Sequence, residues 1–218
     1  MAQKYDLVIF DLDGTLADTS PGIYGAHRYA AAAMGIELTK HSLDGVIGGA
    51  LMDIYTQRFH LDVSGARHAI DAYRDYYKRR GLFEAQIYPG VTALLRALRA
   101  QNVRTAVATL KREDFAREML SRLEVAPLFD WIYGMDENDT LTKRALLEKC
   151  ALSAGLPIKS CVLIGDSRYD AQGAQACGMD FMGVLYGFGF TAPEDVAAFD
   201  NARFCARTPD ELADRLIG

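Results

Sequence analysis

Three aspartates that lie just after short apolar runs have the side chains that a divalent cation requires. Asp11 and Asp13 follow the first such run, and Asp166 follows another much later in the chain. Carboxylates gathered at one end of a buried sheet repel one another and raise one another's pKa unless a cation lies among them. Oxygen ligands select a hard ion, and a site open to phosphate suits Mg2+ better than Ca2+, so the pattern predicts a Mg2+ site. Each aspartate taken alone is more simply explained as the cap of a turn or helix.

A hydroxyl and a lysine are candidates for holding an anion beside these acids. Thr109 ends a second apolar run, and Lys143 lies at the predicted start of a helix. The helix dipole disfavours a cation at that position, but a bound anion would reverse the preference. A solvated side chain is the simpler interpretation of Lys143 alone, and Arg144 and Lys111 are rival ligands for an anion.

The elements that must position these side chains alternate between buried strands and helices. Continuous apolar runs predict strands at Leu7–Phe10, Val103–Thr109, Cys161–Gly165 and Asp180–Tyr186. Because helical periodicity lies between these runs, we predict an α/β fold with a doubly wound, Rossmann-like parallel sheet. Ligands bind such sheets beyond the carboxyl ends of the strands, where the strand order reverses. If the first three strands are neighbours, the residues that follow them converge at one place.

The segment from residue 16 to residue 86 departs from this alternation, because it contains helical patterns and no convincing buried strand. Helices are predicted to begin at Ser20 and at Ser64. The segment is long enough for a small inserted subdomain. We therefore expect an α/β core of residues 1–15 and 87–218 with a helical cap of residues 16–86. Additional helices of one continuous domain are the alternative.

Composition and charge narrow the classes of function. The 218 residues include 24 lysines and arginines against 29 aspartates and glutamates, giving a formal net charge of -5 without a basic cluster. Binding of a nucleic-acid polymer is therefore disfavoured. No apolar run approaches the roughly 20 residues of a membrane span, and no secretory signal is recognised. The 4 cysteines form no Cys-x-x-Cys pair, so we expect reduced thiols and a cytoplasmic location.

Two further patterns have weaker functional interpretations. The segment Gly187–Ala192 matches the glycine pattern of dinucleotide-binding loops, but too little chain follows it to complete such a unit. The histidines lie within the helical segment at spacings unsuited to a metal; they are His27, His41, His60 and His68. We interpret them as packed or surface residues.

The sequence resembles the haloacid dehalogenase superfamily of phosphohydrolases. The first motif of that family is similar to Asp11–Asp18, the second to Thr109, the third to Lys143 and the fourth to Gly165–Asp170. The resemblance covers essentially the whole chain, including the helical cap. Within the superfamily, the chain is most similar to the phosphoglycolate-phosphatase-like branch.

The resemblance implies roles for the acids. Asp11 would attack phosphorus and form an aspartyl-phosphate, while Asp13 would protonate the leaving oxygen and later activate water. The family implies Mg2+ held by Asp11, by the backbone carbonyl of Asp13 and by Asp166. Asp170 would tune the surroundings of the metal or orient Lys143.

The phosphate-binding residues and the cap loop show two departures from the family. Lys143 and Thr109 would hold the transferring oxygens, but Leu110 replaces the usual asparagine or serine and would offer only backbone contact. In the cap loop, Gly49 and Ala50 stand where this branch often has two prolines. Gly48 and Gly49 of this loop are therefore candidates for substrate specificity, or simply part of a connecting loop.

These residues together predict a Mg2+-dependent hydrolase of phosphoric monoesters. The expected partner is a small-molecule phosphate ester, of the phosphoglycolate or nucleoside monophosphate type. A phosphosugar mutase of the β-phosphoglucomutase type and a non-catalytic phosphate-binding protein are the alternatives. The oligomeric state is left open.

Overall fold

The computed structural model describes residues 5–137 and 139–218, which form two compact units. The core unit comprises the residues up to Asp18 together with Ile87–Gly218, and the cap unit comprises Thr19–Gln86. The first boundary lies three residues later than the sequence pattern indicates. The reason is local, because the amide of Gly14 donates to the carbonyl of Ala17 at 3.0 Å and ties this segment to the core.

The strands and helices are as follows. In chain order the strands are β1 (Leu7–Phe10), β2 (Ala17–Asp18), β3 (Gln86–Ile87), β4 (Arg104–Arg112), β5 (Trp131–Met135), β6 (Cys161–Gly165), β7 (Asp180–Val184) and β8 (Ala202–Ala206). The α-helices are α1 (Ser20–Ala33), α2 (Leu51–Asp53), α3 (Val63–Arg79), α4 (Val91–Ala100), α5 (Glu113–Arg122), α6 (Lys143–Ala154), α7 (Arg168–Cys177), α8 (Pro193–Ala197) and α9 (Pro209–Ile217). A π-helical segment, Ile54–Arg58, continues α2, and short 3-10 turns lie at Gly81–Phe83, Ala126–Leu128 and Ile158–Ser160.

Six of the described strands form one sheet in the order β5-β4-β1-β6-β7-β8, while β2 and β3 form a separate two-stranded sheet. Neighbouring strands of the large sheet run parallel. Every residue of β1 and of β6 is buried, as expected for apolar strands covered on both faces. The predicted doubly wound α/β sheet is therefore confirmed. Its strand order reverses beside β1, whose neighbours are β4 and β6, so the three carboxyl ends that the sequence singles out are adjacent.

The differences from the predicted strands lie mainly at the sheet edges. The sequence patterns do not reveal β5 and β8, which are edge strands with partly exposed residues. The observed β4 continues to Arg112, beyond the predicted end at Thr109. Conversely, β7 ends at Val184 rather than Tyr186.

Helix ends follow their capping residues. The predicted start of α3 at Ser64 is wrong by one residue, because Asp62 is the N-cap and its carboxylate accepts a hydrogen bond from the amide of Gly65 at 2.7 Å. In the core unit, Thr142 caps the start of α6, which ends at the left-handed residue Gly155. This cap fixes Lys143 as the first residue of α6.

The cap unit is built on α1 and α3, whose apolar faces are buried. His27 of α1 is fully buried beside the rings of Tyr55 and Tyr73, so it is a packed histidine as the sequence suggests. Among the residues that the structure describes, no helix has both the length and the apolar character needed to cross a membrane.

Candidate active site

The candidate site of the core unit lies where β1, β4 and β6 end. Asp11 follows β1 directly and its amide donates to the carbonyl of Ile164 in β6 at 2.9 Å. Asp11, Asp166 and Asp170 are buried, and each offers a carboxylate oxygen within 4.8 Å of the others. The sheet thus brings together acids that are far apart in the sequence.

The backbone after β7 holds Asp166. One carboxylate oxygen of Asp166 accepts hydrogen bonds from the amides of Phe188 at 2.7 Å and Gly189 at 3.1 Å. These amides belong to the segment that resembles a dinucleotide loop, so its glycines position a carboxylate instead. The glycine pattern Gly187-Phe188-Gly189 is visible in the sequence, but it does not indicate that Asp166 is the partner of this loop.

Asp170 connects the start of α7 with Lys143. One of its oxygens accepts hydrogen bonds from the amide of Ser167 at 3.1 Å and from the Ser167 hydroxyl at 2.5 Å. Its other oxygen lies 2.7 Å from the Nζ atom of Lys143. Asp170 is therefore held by the capping contacts of α7 while it orients the lysine.

Lys143 is buried rather than solvated, with a side chain that is 6% exposed. Its ammonium lies 2.7 Å from Oδ1 of Asp11 and donates to the carbonyl of Ala108 at 2.8 Å, in addition to its contact with Asp170. Gly173 of α7 leaves space for this side chain, because a Cβ at Gly173 would lie 2.4 Å from Cγ of Lys143. The cation at the helix start is thus stabilised by two carboxylates.

Burial dominates the electrostatics of the acids. It raises the pKa of Asp11, an effect that the negative charge of Asp170 increases and the positive charge of Lys143 opposes. Burial and the charges of Asp170 and Asp11 also raise the pKa of Asp166. For Lys143, burial acts to lower the pKa, but the two carboxylates outweigh it and the net change is upward.

The donor set fits a hard divalent cation. The ligand atoms that come together on Asp11, Asp166 and Asp170 are carboxylate oxygens. Such oxygens are the preferred ligands of Mg2+. Their burial makes a shared negative charge costly, and a cation would offset that cost.

The side chain of Asp13 has a different partner from these acids. Its Oδ1 atom lies 3.0 Å from the Nζ atom of Lys111, whose side chain is 6% exposed. From the sequence alone, Lys111 is a rival ligand for an anion. Its position two residues after Thr109, at the carboxyl end of a strand, is the sequence signal that indicates a role for Lys111 in the site.

Thr109 and Leu110 lie at the irregular end of β4. Thr109 is buried and its hydroxyl accepts a hydrogen bond from the amide of Lys111 at 3.2 Å, while Leu110 is partly buried. The neighbouring carbonyl of Ala108 contacts Lys143. This part of the predicted phosphate-binding set is therefore assembled at one end of the sheet.

Gly48 and Gly49 belong to the cap unit, in the loop that precedes α2. Gly48 has a positive φ of 89°, which favours glycine. Their assignment to substrate specificity remains a prediction.

A family model described as haloacid dehalogenase-like hydrolase matches residues 8–184. The chain belongs to this family. The match extends from the second residue of β1 through the end of β7, so it includes the acids, Thr109 and Lys143.

Two curated relatives of this haloacid dehalogenase-like hydrolase have names that describe phosphatases. A 5'-nucleotidase of Pseudomonas aeruginosa is 34% identical over 207 residues, which cover 94% of this chain and 93% of the relative. A phosphoglycolate phosphatase of Pseudomonas putida is 31% identical over 205 residues, which cover 87% of this chain and 72% of the relative. The chain is thus similar to enzymes that hydrolyse phosphoric monoesters.

Solved structures show the same architecture. A predicted phosphatase from Clostridium acetobutylicum superimposes on this haloacid dehalogenase-like hydrolase with a TM-score of 0.91 at 32% identity. The alignment covers 98% of each chain. The α/β fold is therefore that of haloacid dehalogenase-like phosphatases.

Proposed function

We propose that this chain is a Mg2+-dependent phosphomonoesterase in which Asp11 is the nucleophile. The observation that carries the proposal is the environment of Asp11, which is buried against Lys143 and has carboxylate oxygens of Asp166 and Asp170 within 4.8 Å of its own. A carboxylate in contact with a cation and beside a candidate metal site is suited to attack a charged phosphoryl group.

Asp11, Asp166 and the backbone carbonyl of Asp13 would hold the ion, and the geometry makes Asp170 available beside them. When bound, Mg2+ would offset the repulsion between the Asp11 carboxylate and the dianionic phosphoryl group.

Two displacements complete the reaction. In the first, an oxygen of Asp11 bonds to phosphorus while the ester bond breaks, and Asp13 delivers a proton to the leaving oxygen. In the second, Asp13 takes a proton from water, which attacks phosphorus and breaks the bond to Asp11. Inorganic phosphate leaves, and both aspartates return to their starting forms.

Lys143, Thr109 and the backbone at Leu110 would hold the oxygens of the transferring group. Lys143 has the required charge and already contacts Asp11, so it can lie between the nucleophile and a phosphoryl oxygen. Asp170 would keep that ammonium in place through its 2.7 Å contact.

Phosphoglycolate and nucleoside monophosphates are the substrate classes that we propose. The similarity to a 5'-nucleotidase and to a phosphoglycolate phosphatase supports them. We also propose a cytoplasmic location, which the described cysteines support because they are free thiols.

The test is a phosphate-release screen over many phosphomonoesters with Mg2+. The wild type should release phosphate, and Asp11→Asn should abolish release by removing the nucleophile. Asp200→Asn, a change at an exposed aspartate of the core unit, is the matched control and should retain the activity.

Three results would contradict the proposal. Unchanged release by Asp11→Asn would remove Asp11 as nucleophile. Interconversion of sugar phosphates that requires a bisphosphate primer and yields little free phosphate would indicate a mutase. Binding of phosphate esters without any release would indicate a binding protein.

A further inference from the structure

We propose that Lys111 is a positioning residue that holds the Asp13 carboxyl group where proton transfer to the leaving oxygen takes place. This inference rests on the proposed function, because it assigns Asp13 the acid/base role. It concerns the core unit alone.

The first observation is the ion pair itself. The Nζ atom of Lys111 lies 3.0 Å from Oδ1 of Asp13, and the two side chains are 6% and 14% exposed. Surface ion pairs contribute little because water screens them and both side chains remain mobile. This pair is largely removed from water, so its geometry restricts the carboxylate more strongly.

The second observation is the irregular strand end that delivers Lys111. Ala108 of β4 pairs with Tyr133 of β5, and Arg112 pairs with Met135, so β4 advances four residues while β5 advances two. The intervening residues of β4 bulge out of the ladder. Bulges beside active sites commonly redirect a side chain.

The third observation is that the neighbouring strand accommodates this bulge. A Cβ at Gly134 of β5 would lie 2.5 Å from the carbonyl oxygen of Lys111 and 2.7 Å from Cα of Glu113. The Thr109 hydroxyl accepts a hydrogen bond from the Lys111 amide at 3.2 Å within the bulge. The backbone of Lys111 is thus fixed from both sides.

The next residue in the chain, Arg112, is also a cation, but it pairs with a different carboxylate. Arg112 donates from Nε and from an Nη atom to the two carboxylate oxygens of Asp114, at 3.0 and 2.7 Å. Of these two consecutive cations, Lys111 forms the ion pair with Asp13. Arg112 therefore provides a matched control of the same charge at the next position.

Holding Asp13 affects proton transfer more than binding of the phosphoryl group. A general acid acts only while its carboxyl group lies within hydrogen-bond reach of the leaving oxygen. Without Lys111, the Asp13 side chain would sample other positions. The loss should be largest for esters whose leaving oxygen needs a proton.

The experiment compares kcat/KM for two esters, because kcat/KM reports the steps up to the formation of the aspartyl-phosphate. The esters are p-nitrophenyl phosphate, whose leaving group departs with little protonation, and phosphoglycolate or the alkyl phosphate released fastest in the screen. Lys111→Met should lower kcat/KM for the alkyl ester about 10- to 100-fold, and for p-nitrophenyl phosphate about threefold or less. Lys111→Arg should recover part of the loss, and Arg112→Met should behave as the wild type.

A double-mutant cycle on p-nitrophenyl phosphate separates positioning from a structural role. Adding Lys111→Met to Asp13→Asn should cause no further loss, since the lysine acts through the aspartate. A further loss, or an equal fall for both esters, would overturn the inference and leave the phosphatase proposal intact. Failure of the wild type to release phosphate would overturn both. Circular dichroism of each variant identifies any loss of folding. Lys111→Gln is the second substitution, to be used in the same assays if Lys111→Met does not fold.

Discussion

The Nζ atom of Lys143 lies 2.7 Å from Oδ1 of Asp11, although 132 positions separate the two residues in the chain. The contact links the first residue of α6 to the residue that follows β1. Because the lysine also contacts Asp170, it joins three segments of the core unit at one point. The same ammonium thus stabilises buried carboxylates and, in the proposed function, would provide charge for a phosphoryl oxygen.

Lys143→Met should therefore damage both activity and stability. Its removal leaves Asp11 and Asp170 buried without their cation, which we expect to lower the free energy of unfolding by about 3 kcal/mol. Loss of a charged donor at the transferring group should lower kcat about 100-fold or more. Phosphate release and urea unfolding measure the two effects. Arg144→Met, at an exposed neighbour paired with Glu148, is the control and should change neither by much.

Gly173→Ala tests the packing that places the lysine. The added methyl would lie 2.4 Å from Cγ of Lys143, so either the side chain or α7 must move. We expect a loss of about 1–3 kcal/mol of stability and a several-fold fall in kcat, despite the higher helix propensity of alanine. Gln172→Ala changes an exposed residue of the same helix and should leave both quantities near the wild type. An unaltered kcat in Gly173→Ala would contradict the proposed role of this contact.

Mg2+ should raise the melting temperature of the protein, because the ion would bind the folded acids and offset their charge. Asp166→Asn should abolish this shift, whereas Asp200→Asn should retain it. Excess chelator should stop phosphate release, and Ca2+ should restore it poorly because its looser coordination misaligns the attack. Substantial release in chelator would contradict the metal requirement.

Much of the core could be predicted because its central strands are simple in sequence. The apolar runs that end before Asp11 and Asp166 identify buried strands, and parallel topology places their carboxyl ends together. Lys143 could also be identified from the sequence, since the helix dipole disfavours a cation at the start of a helix unless a negative charge lies nearby. The edge strands β5 and β8 lacked such clear runs because some of their residues face solvent.

The partners of Asp13 and Asp166 could not be predicted, because each depends on the path of a distant segment. Lys111 reaches Asp13 through a bulge whose space is provided by Gly134 on another strand. The amide of Phe188 donates a hydrogen bond to Asp166 from a loop whose glycine pattern resembles a dinucleotide motif. Local patterns do not contain the register or loop path that makes these contacts.

The stability of the protein should depend on pH through the protonation of His27 in the cap unit. Its Nδ1 atom lies 3.0 Å from the Tyr55 hydroxyl, whereas its Nε2 atom is buried without a hydrogen-bond partner among the described residues. Burial, assisted by the charge of Arg58, lowers the pKa of His27 from 6.5 to about 4. The unfolded chain therefore binds the proton first as the pH falls. The contribution of uncharged His27 to the free energy of unfolding is fully present above about pH 6.5 and is lost progressively toward pH 4.

Replacing His27 should remove this dependence. From the lowered pKa, the wild type should lose roughly 3 kcal/mol of unfolding free energy between pH 6.5 and pH 4 through this residue. His27→Phe should lose correspondingly less over the same interval, even if the lost hydrogen bond to Tyr55 lowers its stability at neutral pH. Urea titrations across this range give the two slopes, and His68→Gln, at an exposed histidine of α3, should keep the wild-type slope. Parallel slopes for His27→Phe and the wild type would show that the buried imidazole does not govern acid destabilisation.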